Sequence, residues 1–173
     1  ESDECVPVAT ALLRDNYPAP AVNVLTGHKH FWQSDYTIHR RPSWMASIKM
    51  ASDRIIGTEM MNGDNMKGYY MADGATYKDG KEYLDIFPLW DWRKLPGVTA
   101  FEDNAPMPLI KSYQPRNKGT FVGAVSDEKQ GMTVMELDRA GVKAHKAWVC
   151  TDDFILCLGA GIQADSILLL PLL

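Results

Sequence analysis

Between Thr120 and Leu158 the chain reads TFVGAVSDEKQGMTVMELDRAGVKAHKAWVCTDDFILCL. Four apolar-rich runs stand out: Thr120–Ser126, Met132–Leu137, Ala144–Cys150 and Phe154–Leu158. Between them lie Asp127–Gly131, Asp138–Gly141 and Thr151–Asp153, rich in residues that accept tight backbone turns. Strands separated by turns every ~8–12 residues predict an antiparallel meander in a sandwich. Few segments show a 3.6-residue period, so a helical or βαβ fold is not expected.

Upstream, Tyr36–Arg41 reads as a short strand closed by Pro42. Trp44–Ser52 alternates, with Trp44, Ala46, Ile48 and Met50 on one face and Met45, Ser47, Lys49 and Ala51 on the other. Arg54–Met60 and Lys67–Ala72 are two further expected strands, with a turn at Asn62-Gly63-Asp64-Asn65 between them. Asp73-Gly74 and Asp79-Gly80 punctuate the next stretch. Residues 86–120 are irregular, holding Pro88, Pro96, Pro106, Pro108 and Pro115 with Trp90 and Trp92. A loop of that length in a compact domain is functional or packs on a neighbour.

The expected fold is therefore all-β, an antiparallel β-sandwich over residues 28–165. Residues 1–27 read as a linker with little helix: Val8–Arg14 has room for two turns before Pro18 and Pro20 stop them. Gly159-Ala160-Gly161-Ile162 looks like a strand exit or bend. Residues 166–173 end in an apolar tail, Ile167 to Leu173, read as a buried strand or as a truncated or aberrant end.

Composition narrows the function classes. The 173 residues are 46% hydrophobic and 23% charged, as in one soluble globular domain. Lys plus Arg is 18 against 22 for Asp plus Glu, so the net charge of -4 excludes a global basic field for nucleic acid. The longest apolar run has seven residues and contains Pro171, well short of the ~20 a membrane helix needs. Glu1–Cys5 is acidic where a signal peptide would begin basic. Cys5, Cys150 and Cys157 match no zinc spacing and are expected as buried apolar residues. Placed in one strand, the odd offset of Cys150 and Cys157 puts them on opposite faces.

No nucleophile elbow and no glycine-rich phosphate loop occurs. His28 and His30, two apart, would clip a metal only with a third ligand, and none lies near in sequence; they read as polar residues of an exposed loop. The sharpest local feature is Thr58–Asn65, where Glu59 precedes Asn62, Asp64 and Asn65. Such a cluster orients a polar ligand, or simply bends the chain. In His39-Arg40-Arg41 one strand face carries Arg40 and the other His39 and Arg41, suited to an anionic sugar or to ion pairs. Lys143, His145 and Lys146 read as a solvated strand face. Tyr69, Tyr70, Trp90, Trp92 and Tyr113 stack on sugar rings or fill the core. No cofactor is called for; a structural Ca²⁺ at Asp64 or at Asp152-Asp153 is the alternative to solvated turns.

A family resemblance rests on an ordered series of short motifs. They are Asp35–Pro42, Glu59–Asn65, Lys67–Tyr70, Asp73–Tyr77, Leu95–Thr99, Phe121–Asp127, Val142–Trp148 and Leu158–Ile162. In this order and spacing the chain resembles the central β-sandwich of polysaccharide lyase family 8, the chondroitin AC, hyaluronate and xanthan lyases. The resemblance implies part of a supersandwich-like lyase domain, secreted or periplasmic, that acts on an acidic polysaccharide. It implies β-elimination: the C5 proton of a uronate leaves, the C4–O bond breaks and an unsaturated sugar forms. In that family an Asn, a His, a Tyr and an Arg of an N-terminal helical domain carry the chemistry, and no counterpart of that domain is read in these residues. The β-domain lends the cleft a Glu and an Asn, matched here by Glu59, expected to orient the catalytic groups, and Asn62, expected to hold substrate. A sugar-stacking aromatic falls near Tyr113. After Ala164 the family's pattern of further strands is not followed. The leading expectation is a lyase sandwich without turnover alone, needing a helical partner domain and contacting neither nucleic acid nor membrane. Its alternatives are a non-catalytic glycan-binding module and a compact enzyme using Tyr36, His39 or Tyr70 as base.

Overall fold

A computed structural model describes residues 25–59, 64–78, 87–102, 105–108 and 116–165. Among these the regular elements are eight strands and one 3-10 turn at Phe87–Leu89. The strands are β1 (Gly27–Phe31), β2 (Tyr36–Arg40), β3 (Met45–Lys49), β4 (Ala75–Lys78), β5 (Val122–Ser126), β6 (Gly131–Arg139), β7 (Val142–Cys150) and β8 (Ile155–Ala164). They form two antiparallel sheets, β1-β2-β3-β4 and β5-β6-β7-β8. The all-β sandwich expected from the meander is what the chain adopts.

The second sheet follows its turn chemistry. Arg139 pairs with Val142, leaving Ala140 and Gly141 as the whole β6–β7 turn. Both have positive φ, 53° and 79°, the type I′ geometry that matches strand twist. In the β5–β6 turn the Asp127 carboxylate accepts the Lys129 and Gln130 amides at 2.9 and 2.6 Å. Strand β8 does not end at Gly159 as expected. It runs to Ala164 through a bulge, because Lys143 faces Gln163 while His145 faces Ala160, and Gly161 takes a φ of 60°.

In the first sheet two expected strands are absent. Residues 54–59 and 67–72 fold back in turns, with Gly68 N–H bonding Asn65 O at 2.9 Å and Asp73 N–H bonding Tyr70 O at 3.1 Å. The physical cause is packing: Tyr69 and Tyr70 meet edge to face at 4.7 Å and fill a core that strand geometry would not reach. The fourth strand is instead β4, which pairs with β3. It starts just after Gly74, whose φ of +93° and contact with Trp148 exclude a side chain: a Cβ there would lie 2.6 Å from the indole Cζ2. Strand β1 lies where the sequence reads as linker and loop, yet its residues pair with β2 from Gly27 to Phe31.

The interior has two characters. Between β3 and the second sheet it is apolar: Ile48, Met50, Met135, Leu137, Trp148 and Cys150 pack together. Between β1–β2 and the second sheet it is polar. Thr37 Oγ1 lies 2.9 Å from Thr133 Oγ1, and His28, His39 and Arg41 are all buried. Cys150 and Cys157 are free thiols on adjacent strands. They share the inner face, since Cys150 pairs with Ile155 and Trp148 with Cys157, so the opposite-face reading fails because they do not occupy one strand.

Candidate substrate cleft on the first sheet

Strand alternation divides the first sheet into a buried inner face and an outer face that floors a cleft of about 490 Å³. Thr37 and Ile48 point inward, so Tyr36, Ser47 and Lys49 point outward, joined by Tyr77 opposite Ser47. Lys49 Nζ donates to the carbonyls of Ser34 and Met50 at 2.7 and 2.8 Å. Burial lowers its pKa, and the Asp35 carboxylate opposes that shift.

One wall is aromatic. Phe87 and Trp92 line it, and Trp90 stands behind them, stacked on Tyr77 at 5.7 Å and met edge-on by Phe87 at 5.0 Å. The Trp92 indole Nε1–H is buried and has no acceptor among the described residues. The opposite rim is polar. Asn65, at a φ of 52°, donates from Nδ2 to Thr58 Oγ1 and to the Glu59 carbonyl, both at 2.9 Å. Gly68 makes that bond possible, since a Cβ there would stand 2.6 Å from Asn65 Nδ2 and from Thr58 Oγ1. Glu59 follows Thr58 in the chain and is exposed. Such a cleft offers flat apolar faces for sugar rings and an ammonium for anionic or hydroxyl groups.

Of the residues singled out from sequence, Glu59 follows the cleft-lining Thr58 and lends its carbonyl to Asn65, whereas Asn62 and Tyr113 lie outside the described residues. Tyr36 lines the cleft, but His39 is fully buried and Tyr70 nearly so, its phenol pushed up by burial. Neither is placed to meet substrate. Arg41 is committed to Asp152 at 2.6 Å and to the Lys129 carbonyl at 2.5 Å, so the ion-pair reading holds there. Asp152 also accepts from Gln130 Nε2 at 3.2 Å, while Asp64 and Asp153 sit exposed. Tyr69 and Tyr70 are core, and Trp90 and Trp92 pack partly against that core. His28 is buried rather than loop-exposed, because β1 turns it inward.

Lys146 corrects the solvated-face reading. The period of β7 places it between Ala144 and Trp148 on the inner face, where it donates to the carbonyls of Asp73 and Gly97. Lys49 is legible as a cleft residue from the same alternation in Trp44–Ser52. Tyr77 and Phe87 are not, since their approach depends on how the irregular segment after Pro88 folds.

Residues 26–167 match the family model for polysaccharide lyase family 8, super-sandwich domain. The chain belongs to that family. Among curated proteins it is 37% identical over 161 residues to the chondroitinase-AC of Pedobacter heparinus, covering 91% of this chain and 23% of that one. It is 30% identical over 171 residues to the xanthan lyase of Bacillus sp. strain GL1, covering 95% of this chain and 18% of that one. A Streptomyces coelicolor A3 chondroitin AC lyase solved with chondroitin sulphate superposes with a TM-score of 0.77 at 31% identity, over 87% of this chain and 22% of that one. The chain thus spans about a quarter or less of the length of these relatives. Among the described residues no helix is long and apolar enough to cross a membrane.

Proposed function

We propose that these residues form the β-sandwich side of the substrate cleft in a lyase that breaks uronate-containing polysaccharide by β-elimination. The observation that carries the reading is the first sheet's outer face, where the aromatic wall of Phe87 and Trp92, with Tyr36 and Lys49, faces the rim of Thr58 and Asn65. The flat apolar wall accepts sugar rings, and the Lys49 ammonium binds carboxylate or hydroxyl oxygens. Removing the C5 proton requires the neighbouring carboxylate to be neutralised and a base to be positioned. Glu59 serves to orient the groups that do this; Asn62 and Tyr113 serve to hold substrate. The sandwich of residues 28–165 then works against a helical domain that bears the base, with residues 1–27 as the connection to it. A polymeric substrate places the protein outside the cytoplasm.

Two readouts on the 173-residue chain, folded as judged by circular dichroism, test the reading. Affinity electrophoresis through gels containing chondroitin or hyaluronan is expected to retard it at low salt, and Glu59→Gln is expected to leave that retardation in place. Ultraviolet absorbance of unsaturated uronate is expected to stay flat. A rise in absorbance would show that the sandwich carries its own base, with Tyr36 the candidate facing the cleft. Absent retardation would remove the cleft as a glycan site. Within a lyase bearing this sandwich, Glu59→Gln is expected to lower kcat far more than it raises KM; an unchanged kcat refutes the orienting role.

A further inference from the structure

We propose that His28, His39 and Cys150 form a metal site that clips the two sheets together and takes a thiophilic divalent ion of the zinc class. His28 on β1 and His39 on β2 face each other in register, and Cys150 closes β7 of the opposite sheet. All three are buried, and among the described residues they are the one grouping of three His, Cys, Asp or Glu whose ligand atoms all lie within 4.8 Å of one another. The cluster sits on the inner face, away from the cleft, where the interior between β1–β2 and the second sheet is polar.

The hydrogen bonds fix how His39 presents itself. Its Nε2 lies 2.8 Å from the Thr151 carbonyl, which only accepts, so Nε2 carries the proton and Nδ1 is left as a lone pair. A ring nitrogen anchored on a backbone carbonyl while the other coordinates is the usual support of a metal-bound histidine. That Nδ1 stands 3.4 Å from His28 Nδ1. The separation is long for an N–H···N bond. It is the spacing of two nitrogens on a tetrahedral ion with bonds of ~2.0–2.1 Å, which works out at about 3.3–3.4 Å. His28 lacks that anchor, its Nε2 being buried with no partner among the described residues, so the orientation of the pair rests on His39.

Two imidazoles and a thiolate are a donor set that favours zinc-class ions over calcium or magnesium. Binding converts the Cys150 thiol and the free ion into a thiolate–metal bond and one released proton, with no change of oxidation state. Because the ligands come from β1, β2 and β7, the ion would tie the first sheet to the second at the border between the polar seam and the apolar core that Cys150 joins.

The test uses the full chain, stripped of metal, titrated with Co²⁺ as spectroscopic probe and then with Zn²⁺. The expected result is uptake of one Co²⁺ with a sulfur-to-cobalt charge-transfer band, displacement by Zn²⁺, and a rise in Tm. Cys150→Ser should abolish the band, His28→Gln and His39→Gln should each weaken uptake ~10-fold or more, and Cys5→Ser and Cys157→Ser should leave it intact. Should Cys150→Ser fail to fold, protection of Cys150 from alkylation by Zn²⁺ in the unsubstituted chain reads the same contact. A folded chain with no uptake, uptake indifferent to these substitutions, or an unprotected Cys150 overturns the proposal. The His28–His39 contact would then be a buried imidazole hydrogen bond alone.

Discussion

Lys146 puts a cation inside the sandwich, and replacing it with methionine isolates what that costs. Its side chain is 6% exposed. Its ammonium lies 5.3 Å from the centroid of the Trp148 ring and donates to the carbonyls of Asp73 and Gly97. Burial drives its pKa down to about 8, with the Asp73 carboxylate pulling the other way. In the unfolded chain a lysine titrates near ~10.4. Between those two values the unfolded state holds more protons than the native state, so stability rises with pH across that window. The Lys146 contribution is fully present above ~10.4 and is lost as pH falls through about 8. A difference of about two pKa units corresponds to roughly 3 kcal/mol. Lys146→Met keeps the volume and removes the titration, but leaves two buried carbonyls without donors at ~1–3 kcal/mol each. Near pH 7 these effects largely offset and the variant is expected to be close to wild type or modestly weaker. Towards pH ~10.5 the gap should widen by roughly 3 kcal/mol in favour of wild type. Urea unfolding of both proteins across that range, each carrying Cys157→Ser because that thiol is coupled to Lys146, measures it, and differencing cancels the titrations they share. A gap that stays constant within ~0.5 kcal/mol across the range refutes the buried-ammonium account.

Two further substitutions probe the turns that shape the cleft. Asp35→Asn should cost ~2–4 kcal/mol by urea midpoint, because the buried carboxylate accepts Ser52 N–H and Oγ–H at 2.6 Å each and Arg54 Nη2 at 2.7 Å, and an amide turns one acceptor into a donor; a loss under ~1 kcal/mol would mean that the amide finds new partners. Gly68→Ala should weaken retardation in glycan gels while leaving Tm nearly unchanged, since the added Cβ, 2.6 Å from Asn65 Nδ2, displaces the Asn65 side chain at the rim. Unaltered retardation would show that the Asn65–Thr58 bond does not shape the glycan surface.

The second sheet is legible in the sequence because local signals agree. Turn residues, alternation and length all point the same way from Val122 to Cys150, and only the β8 bulge escapes. The first sheet is harder. Residues 54–59 and 67–72 look like strands by composition, yet Arg54 turns back onto Asp35 and the Tyr69–Tyr70 pair fills a core formed with Leu95 and Val98. Those contacts span up to 29 residues of sequence between Tyr69 and Val98, and nothing within a strand-length window announces them. Strand β1 escapes for the opposite reason: Gly27–Phe31 is polar, with no apolar alternation to reveal it. Its buried surroundings are Thr37, His39 and Thr133, so the usual hydrophobic signal has nothing to register. Lys146 escapes although the period is visible, because a charged side chain suggests solvent even at an inward position of an alternating strand.

The same alternation couples the interior to the candidate cleft. Tyr36 and Thr37 are neighbours in β2, one flooring the cleft and the other bonded to Thr133 across the sandwich at 2.9 Å. Ser47 and Lys49 flank Ile48, which is buried in the apolar core. With successive side chains on opposite faces, inner-face packing sets strand register, and register sets which outer residues face the aromatic wall. A one-residue slip of β2 against β3 would exchange Tyr36 for Thr37 on the cleft floor and bury a tyrosine in a polar seam. The hydroxyl pairing of Thr37 with Thr133 and the His39 bond to Thr151 resist that slip, because each leaves a buried polar atom unpaired when shifted. Apolar packing alone tolerates such displacement more readily than fixed hydrogen-bond partners do. The polar half of the interior therefore holds the register, and with it the geometry of the candidate cleft.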